Sequence, residues 1–159
     1  MEQAMFGAGC FWGVELGFSQ LPGVVETAVG YSGGTTDAPT YEHVCSGTTM
    51  HTEVVHLRFD PAIITYQRLL DVFWRGHDAS QINRQGPDVG TQYRSAVYYF
   101  TEEQRALAEA TKMAYDISGE FDAPIATEIT PAPTFHRAED YHQKYFELRG
   151  MTSCHFTVN

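Results

Sequence analysis

Gly7-Ala8-Gly9-Cys10-Phe11-Trp12-Gly13 is the stretch on which the fold turns. A small apolar run, Ala4 to Ala8, leads into it. Behind it Phe11, Val14 and Phe18 recur at helical spacing. Cys10 is therefore expected where a strand turns into a helix. Free backbone N–H groups and the macrodipole at a helix start favour an anion. A thiolate is such an anion, so the position is expected to lower the Cys10 pKa and sharpen its nucleophilicity. Gly9 permits the tight turn, and Gly13 leaves room beside the sulfur. Phe11 and Trp12 add two large rings next to a soft nucleophile, which fits a pocket for something small and apolar. The alternative is a Cys that merely fills the core as a small hydrophobe.

Working outward, Pro22-Gly23 ends the first helix and Val24 to Tyr31 reads as a strand. A loop opens at Ser32-Gly33-Gly34 and runs through Pro39, followed by a short helical turn from Tyr41 to Cys45. His51 to Phe59 is a strand closed by Asp60-Pro61. Thr65 caps a helix striped with Tyr66, Leu69, Leu70, Phe73 and Trp74 and ended by Gly76. His77 to Gln92 is a polar loop, of a length that is often functional. Arg94 to Phe100 is a strand. Thr101-Glu102-Glu103-Gln104 has the form of a capping box, with Leu107, Ala110, Ala114 and Ile117 as the buried face of its helix and Gly119 as its stop. Ala126 to Thr130 is a short strand. Ala138 to Leu148 reads as a helix, and residues 150–159 as a C-terminal tail carrying Cys154. This order predicts an α+β fold, a two-layer sandwich of helices on a mixed sheet.

The 159 residues suit one domain, 1–159, and 43% hydrophobic with 13% aromatic residues is a globular composition. Twenty acidic against ten basic residues give a net charge of -10, which repels phosphate backbones and argues against nucleic acid. No apolar run approaches the roughly 20 residues of a membrane span. The N-terminus lacks the charged and apolar regions of a secretory signal, so a cytoplasmic location is expected. A monomer is expected as well. Three cysteines are an odd number for a disulfide scaffold, and neither they nor the seven His fall at metal-ligand spacings. No metal or other cofactor is expected; redox or nucleophilic use of a Cys is the better reading.

On the strand His51 to Phe59, the alternation that turns Val55, Leu57 and Phe59 inward also turns Glu53 inward. A carboxyl there loses water, which raises its pKa and keeps a proton ready for general acid work. The alternative is a strand that starts later and leaves Glu53 in water. Tyr41 and Tyr93 lie outside the periodic core segments, where a phenol either donates to a polar substrate group or packs a loop. Asp88, in Gly86-Pro87-Asp88-Val89-Gly90, reads first as a turn former. Cys45, beside Val44, reads as a buried structural thiol. Cys154 lies in a polar tail and either attacks an oxidised partner Cys or is a passive exposed thiol. His142 and His155 read as solvated.

Several of these stretches together resemble one family. Gly9-Cys10-Phe11-Trp12-Gly13 is similar to the active-site motif of the A-type peptide methionine sulfoxide reductases. The likeness continues through Gly30-Tyr31-Ser32-Gly33-Gly34, Pro39 to Cys45, His51-Thr52-Glu53-Val54-Val55, Asn83 to Ser95 and Ala138 to Tyr145. The resemblance implies an α/β sandwich with a ferredoxin-like core. It implies reduction of methionine S-sulfoxide, free or in proteins, one of the two reactions that restore oxidised Met. By that resemblance Cys10 attacks the sulfoxide sulfur, and Phe11 and Trp12 hold the substrate methyl group. Glu53 protonates the oxygen, Tyr41 and Tyr93 hydrogen-bond to it, and Asp88 completes the polar side. Cys10 becomes a sulfenic acid, Cys154 resolves it as a disulfide, and thioredoxin reduces that bond. The tail departs from the family's usual Gly-Tyr-Cys element, having Met151-Thr152-Ser153-Cys154 instead.

Two other classes compete. A cysteine hydrolase would pair Cys10 with an imidazole, and no His has a clear claim to that role. A binding module for Met-containing peptides would bind without turnover and would tolerate Cys10→Ser.

Overall fold

The computed structural model describes residues 1–152 and 156. Its centre is a βαββαβ unit: β1 (Glu2–Ala8), α1 (Phe11–Ser19), β2 (Val24–Ser32), β3 (Thr52–Phe59), α3 (Tyr66–Gly76) and β6 (Ser95–Tyr99). Between these lie α2 (Tyr41–Cys45) and a small hairpin of β4 (Arg84–Gln85) and β5 (Asp88–Val89). Then follow α4 (Glu102–Ser118), β7 (Glu128–Pro131), β8 (His136–Arg137) and α5 (Tyr145–Leu148). The main sheet runs β7-β6-β1-β3-β2-β8. Among the described residues only β6 and β7 pair in parallel. The inner four strands, β6-β1-β3-β2, have the ferredoxin-like order, so the α+β expectation holds.

Two-residue alternation divides the core. Ala4, Phe6 and Ala8 of β1 and Val55, Leu57 and Phe59 of β3 join the larger cluster. Met5 and Val54, one position out of phase, join a smaller cluster with Ala96 and Tyr98 on the other face. Phe6 shows why both helices share the first face. Its ring stacks on Phe18 of α1 and on Phe73 of α3, each at 5.1 Å between centroids. The five predicted α3 residues, Tyr66, Leu69, Leu70, Phe73 and Trp74, are all buried. Thr65 caps that helix by accepting from the Arg68 amide at 3.1 Å.

Three segments differ from the sequence reading. In α4 the expected face fails: Ala110, Ala114 and Ile117 are exposed. The inward stripe instead holds Gln104 and Ala108, with Leu107 and Tyr115 partly buried. Polar groups occupy it because each finds a partner. Gln104 donates to the Gln3 carbonyl and accepts from the Phe100 amide, and Thr111 accepts from the Trp74 indole. The expected helix from Ala138 to Leu148 is broken into a 3-10 turn at Asp140–His142 and the single turn α5. The break falls at Lys144, whose φ of 52° is left-handed. For a non-glycine residue that costs about 1–2 kcal/mol, and it is offset by hydrogen bonds made on either side of it. Finally, the loop after α3 contains the β4–β5 hairpin, braced by Gln85, which accepts from the Asp78 amide and donates to its carbonyl. Among the described residues no helix is long and apolar enough to cross a membrane.

Candidate active site

Cys10 is the N-cap of α1, and Gly9 before it turns the chain at φ 95°. The strand-to-helix junction is therefore where the apolar run and the helical spacing predict it. β3 begins at Thr52, so Glu53 lies inside the strand, opposite Tyr31 of β2. Its side chain reaches the mouth of α1, where Oε1 accepts from the Phe11 amide at 3.2 Å. Glu53 is only 1% exposed. Oε2 is buried with no hydrogen-bond partner among the described residues.

Burial pushes the Glu53 carboxyl up to about 8, against the opposing pull of the Phe11 amide and with a further push from the Asp88 charge. The desolvated-acid expectation is met. The thiol expectation is not. Burial, then the Glu53 charge, push Cys10 up to about 12, while the Trp12 and Gly13 amides pull the other way. The helix mouth does act as predicted, but desolvation outweighs it. The Glu53 contribution exists only when that carboxyl is ionised.

Tyr41, Tyr93 and Asp88 converge on the same place. Tyr93 ends a 3-10 turn at Thr91–Tyr93. Burial raises its phenol pKa, and the charges of Glu53, Cys45, Asp88 and Cys10 add to the rise. Tyr41 opens α2, and burial likewise raises its pKa, helped by a hydrogen bond with the Cys45 thiol. Its amide donates to Glu139 Oε2, and the other oxygen of Glu139 accepts from the Tyr31 hydroxyl, both at 3.0 Å. Asp88 sits in β5 rather than in the turn itself. Cys45 corrects the sequence reading: it is exposed, because the single turn of α2 points Val44 inward instead.

The apolar side is built around an unexpected residue. His142, read from sequence as solvated, is fully buried. Its Nδ1 accepts from the Trp12 indole at 2.9 Å. Among the described residues four rings surround it: Tyr141 at 4.0 Å, Tyr41 at 4.5 Å, Phe11 at 5.2 Å and Trp12 at 5.6 Å. Burial lowers its pKa, and the bond it accepts from the Trp12 indole requires Nδ1 to carry no proton. Trp12 also stacks face to face on Tyr145 at 3.8 Å and 7°. Phe11 is 1% exposed and belongs to the core, whereas Trp12 is half-buried. One sequence signal pointed to such a partner: a partly buried indole N–H needs an acceptor. Cys154 and His155 lie outside the described residues. Among those described, no cluster of three or more His, Cys, Asp or Glu could hold a metal ion.

A family model described as peptide methionine sulfoxide reductase matches residues 2–159. The chain belongs to the peptide methionine sulfoxide reductase family, A type. It is 57% identical to Peptide methionine sulfoxide reductase MsrA of Methanoculleus marisnigri, over 97% of this chain and 94% of that one. Among solved structures it is similar to reduced Mxr1 from Saccharomyces cerevisiae, with a TM-score of 0.90 and 32% identity over 99% and 92% of the two chains. Methionine sulfoxide reductase A of Corynebacterium diphtheriae aligns with a TM-score of 0.84 and 38% identity, over 96% and 77%. Mxr1 in complex with Trx2 shares the fold, with a TM-score of 0.64 and 21% identity over 99% and 88%. Membership in the reductase family rules out the cysteine-hydrolase and binding-module alternatives. The buried acid at the cysteine's helix mouth is thus found in a methionine sulfoxide reductase.

Proposed function

We propose that this chain reduces methionine S-sulfoxide to methionine, with Cys10 as nucleophile and Glu53 as general acid. The observation that supports this most is the placing of a buried, proton-holding carboxyl one residue from the cysteine. Glu53 gives its proton to the sulfoxide oxygen, and the carboxylate so formed takes the thiol proton as the Cys10 sulfur attacks the sulfoxide sulfur. The hydroxyl passes from the substrate sulfur to the Cys10 sulfur as the bond between the two sulfurs breaks. The substrate sulfur so gains two electrons and leaves as the thioether, and Cys10, oxidised by two electrons, is left as a sulfenic acid. A neutral Glu53 suits the ground state, because an ionised one would repel the thiolate on which attack depends.

Tyr41 and Tyr93 keep their phenol protons and donate to the sulfoxide oxygen, and Asp88 lines the polar side. Trp12 holds the methyl group, with Phe11 behind it. Cys154 then attacks the sulfenic sulfur, forming a disulfide and water, and thioredoxin reduces that bond. The Trx2 complex of the yeast relative supports a partner of this kind. Thioredoxin recycling fits a reducing compartment such as the cytoplasm.

Mass spectrometry of protein treated with methionine S-sulfoxide tests the reading directly. One methionine released per chain and a Cys10–Cys154 disulfide are expected. An unreacted Cys10, or equal reaction with the R epimer, would overturn it.

A further inference from the structure

We propose that Glu15 is a positioning residue that holds the Trp12 wall of the site in place, an inference that rests on the substrate-binding role given above to Trp12. Glu15 lies one turn beyond Trp12 on α1 and is 2% exposed. A carboxyl on a surface helix ordinarily faces water, and one this deep needs partners. Both of its oxygens have one. Oε2 accepts from the Thr27 hydroxyl of β2 at 2.8 Å, and Oε1 accepts from the Lys144 backbone amide at 2.6 Å.

The second bond is the informative one. Lys144 is the left-handed residue at which the C-terminal helix breaks, 129 positions away in sequence. On one side of it Gln143 is stitched to β2, accepting from the Val29 amide and donating to the Val29 and Ala138 carbonyls. On the other side α5 begins. The break separates His142 from Tyr145, and both grip Trp12, one by a hydrogen bond and one by a stacked ring. A continuous helix would place residues three apart on one face, close together. The left-handed turn instead lets them meet the indole from its edge and from its face. Glu15 stabilises that turn from the same helix that carries Trp12. One short segment of α1 therefore carries the wall and the anchor that shapes its support.

The pair Glu15→Ala and Glu15→Gln separates this role from simple destabilisation. A glutamine keeps both contacts, its oxygen accepting from Lys144 and its amide donating to the Thr27 hydroxyl. An alanine leaves the Lys144 amide without its acceptor. Glu15→Ala is expected to raise KM for methionine S-sulfoxide about tenfold, with kcat changed far less. It is also expected to open Trp12 to acrylamide quenching. The chain has two tryptophans and Trp74 is fully buried, so the quenching reports on Trp12. Glu15→Gln should restore both readouts. Unchanged KM and quenching in Glu15→Ala, or no rescue by Glu15→Gln in a folded chain, would overturn the proposal. If Glu15→Ala does not fold, Thr27→Val, which removes one donor, must show a smaller shift of the same kind, and its absence overturns the proposal equally. Quenching is read without turnover, and an inactive wild-type chain would count against the reductase mechanism and not against this anchor.

Discussion

The Phe11 amide and the Glu53 carboxyl meet at 3.2 Å across 42 positions of sequence, joining the first turn of α1 to the start of β3. That amide is one of the helix's free N–H groups, and it is satisfied by a carboxyl instead of by the Cys10 sulfur. The same contact steers the acid towards the residue next to the nucleophile. Because Glu53 is almost fully buried, the steering comes with a strong resistance to ionisation.

Glu53→Gln should keep the Phe11 contact, since an amide oxygen also accepts, and lose the proton. Loss of a general acid is worth about 100- to 10,000-fold in rate. Single-turnover release of methionine from the S-sulfoxide should slow within that range. In the wild-type chain the same rate should fall as pH rises through about 8, the point at which Glu53 gives up its proton. A rate left unchanged in the variant would remove Glu53 from the chemistry.

The stability of the chain should depend on pH through the same group. Glu53 titrates near 4.5 when unfolded and near 8 when folded. Between these values the folded chain binds more protons than the unfolded one, so stability falls as pH rises across that window and levels off above it. The slope contributed is at most about 1.4 kcal/mol per pH unit. Urea denaturation at a series of pH values should show the decline in the wild-type chain and lose this component in Glu53→Gln.

Gly17→Ala tests how Phe156 is seated. Phe156 is 2% exposed and packs its ring on Phe18 at 5.3 Å. A Cβ on Gly17 would meet that ring at 2.5 Å, and one on Gly76 would meet it at 2.5 Å from α3. Alanine should favour a helix over glycine by about 0.5–1 kcal/mol. The collision should reverse the sign and destabilise the chain by about 1–3 kcal/mol. In a Phe156→Ala background the penalty should disappear, which a double-mutant cycle would read.

Cys154→Ser should still release one methionine per chain, because attack and oxygen transfer need only Cys10 and the acid. Multiple turnover with thioredoxin should be lost. Cys45→Ser should leave thioredoxin turnover near that of the wild-type chain. Loss of turnover in Cys45→Ser instead would make Cys45 the resolving residue, since it is exposed and its thiol bonds to the Tyr41 hydroxyl at the same site.

Sequence by itself determined the features that depend on near neighbours. The alternation in β1 and β3, the stripe of α3 and the Thr65 cap are local properties, and they appear in the structure where the residues place them. The inward direction of Glu53 follows from the same two-residue period. Tertiary structure alone decided what depends on who lies across the fold. Gln104 and Thr111 are acceptable inside α4 because Gln3, Phe100 and Trp74 answer them. His142 is buried because Trp12, 130 positions away, supplies its hydrogen bond. The Cys10 thiol is held up because desolvation grows with everything packed around it, while the helix mouth that opposes it is fixed by a few adjacent amides. Periodicity and capping can be read along a chain, whereas dielectric surroundings and polar partners exist only once distant segments have met.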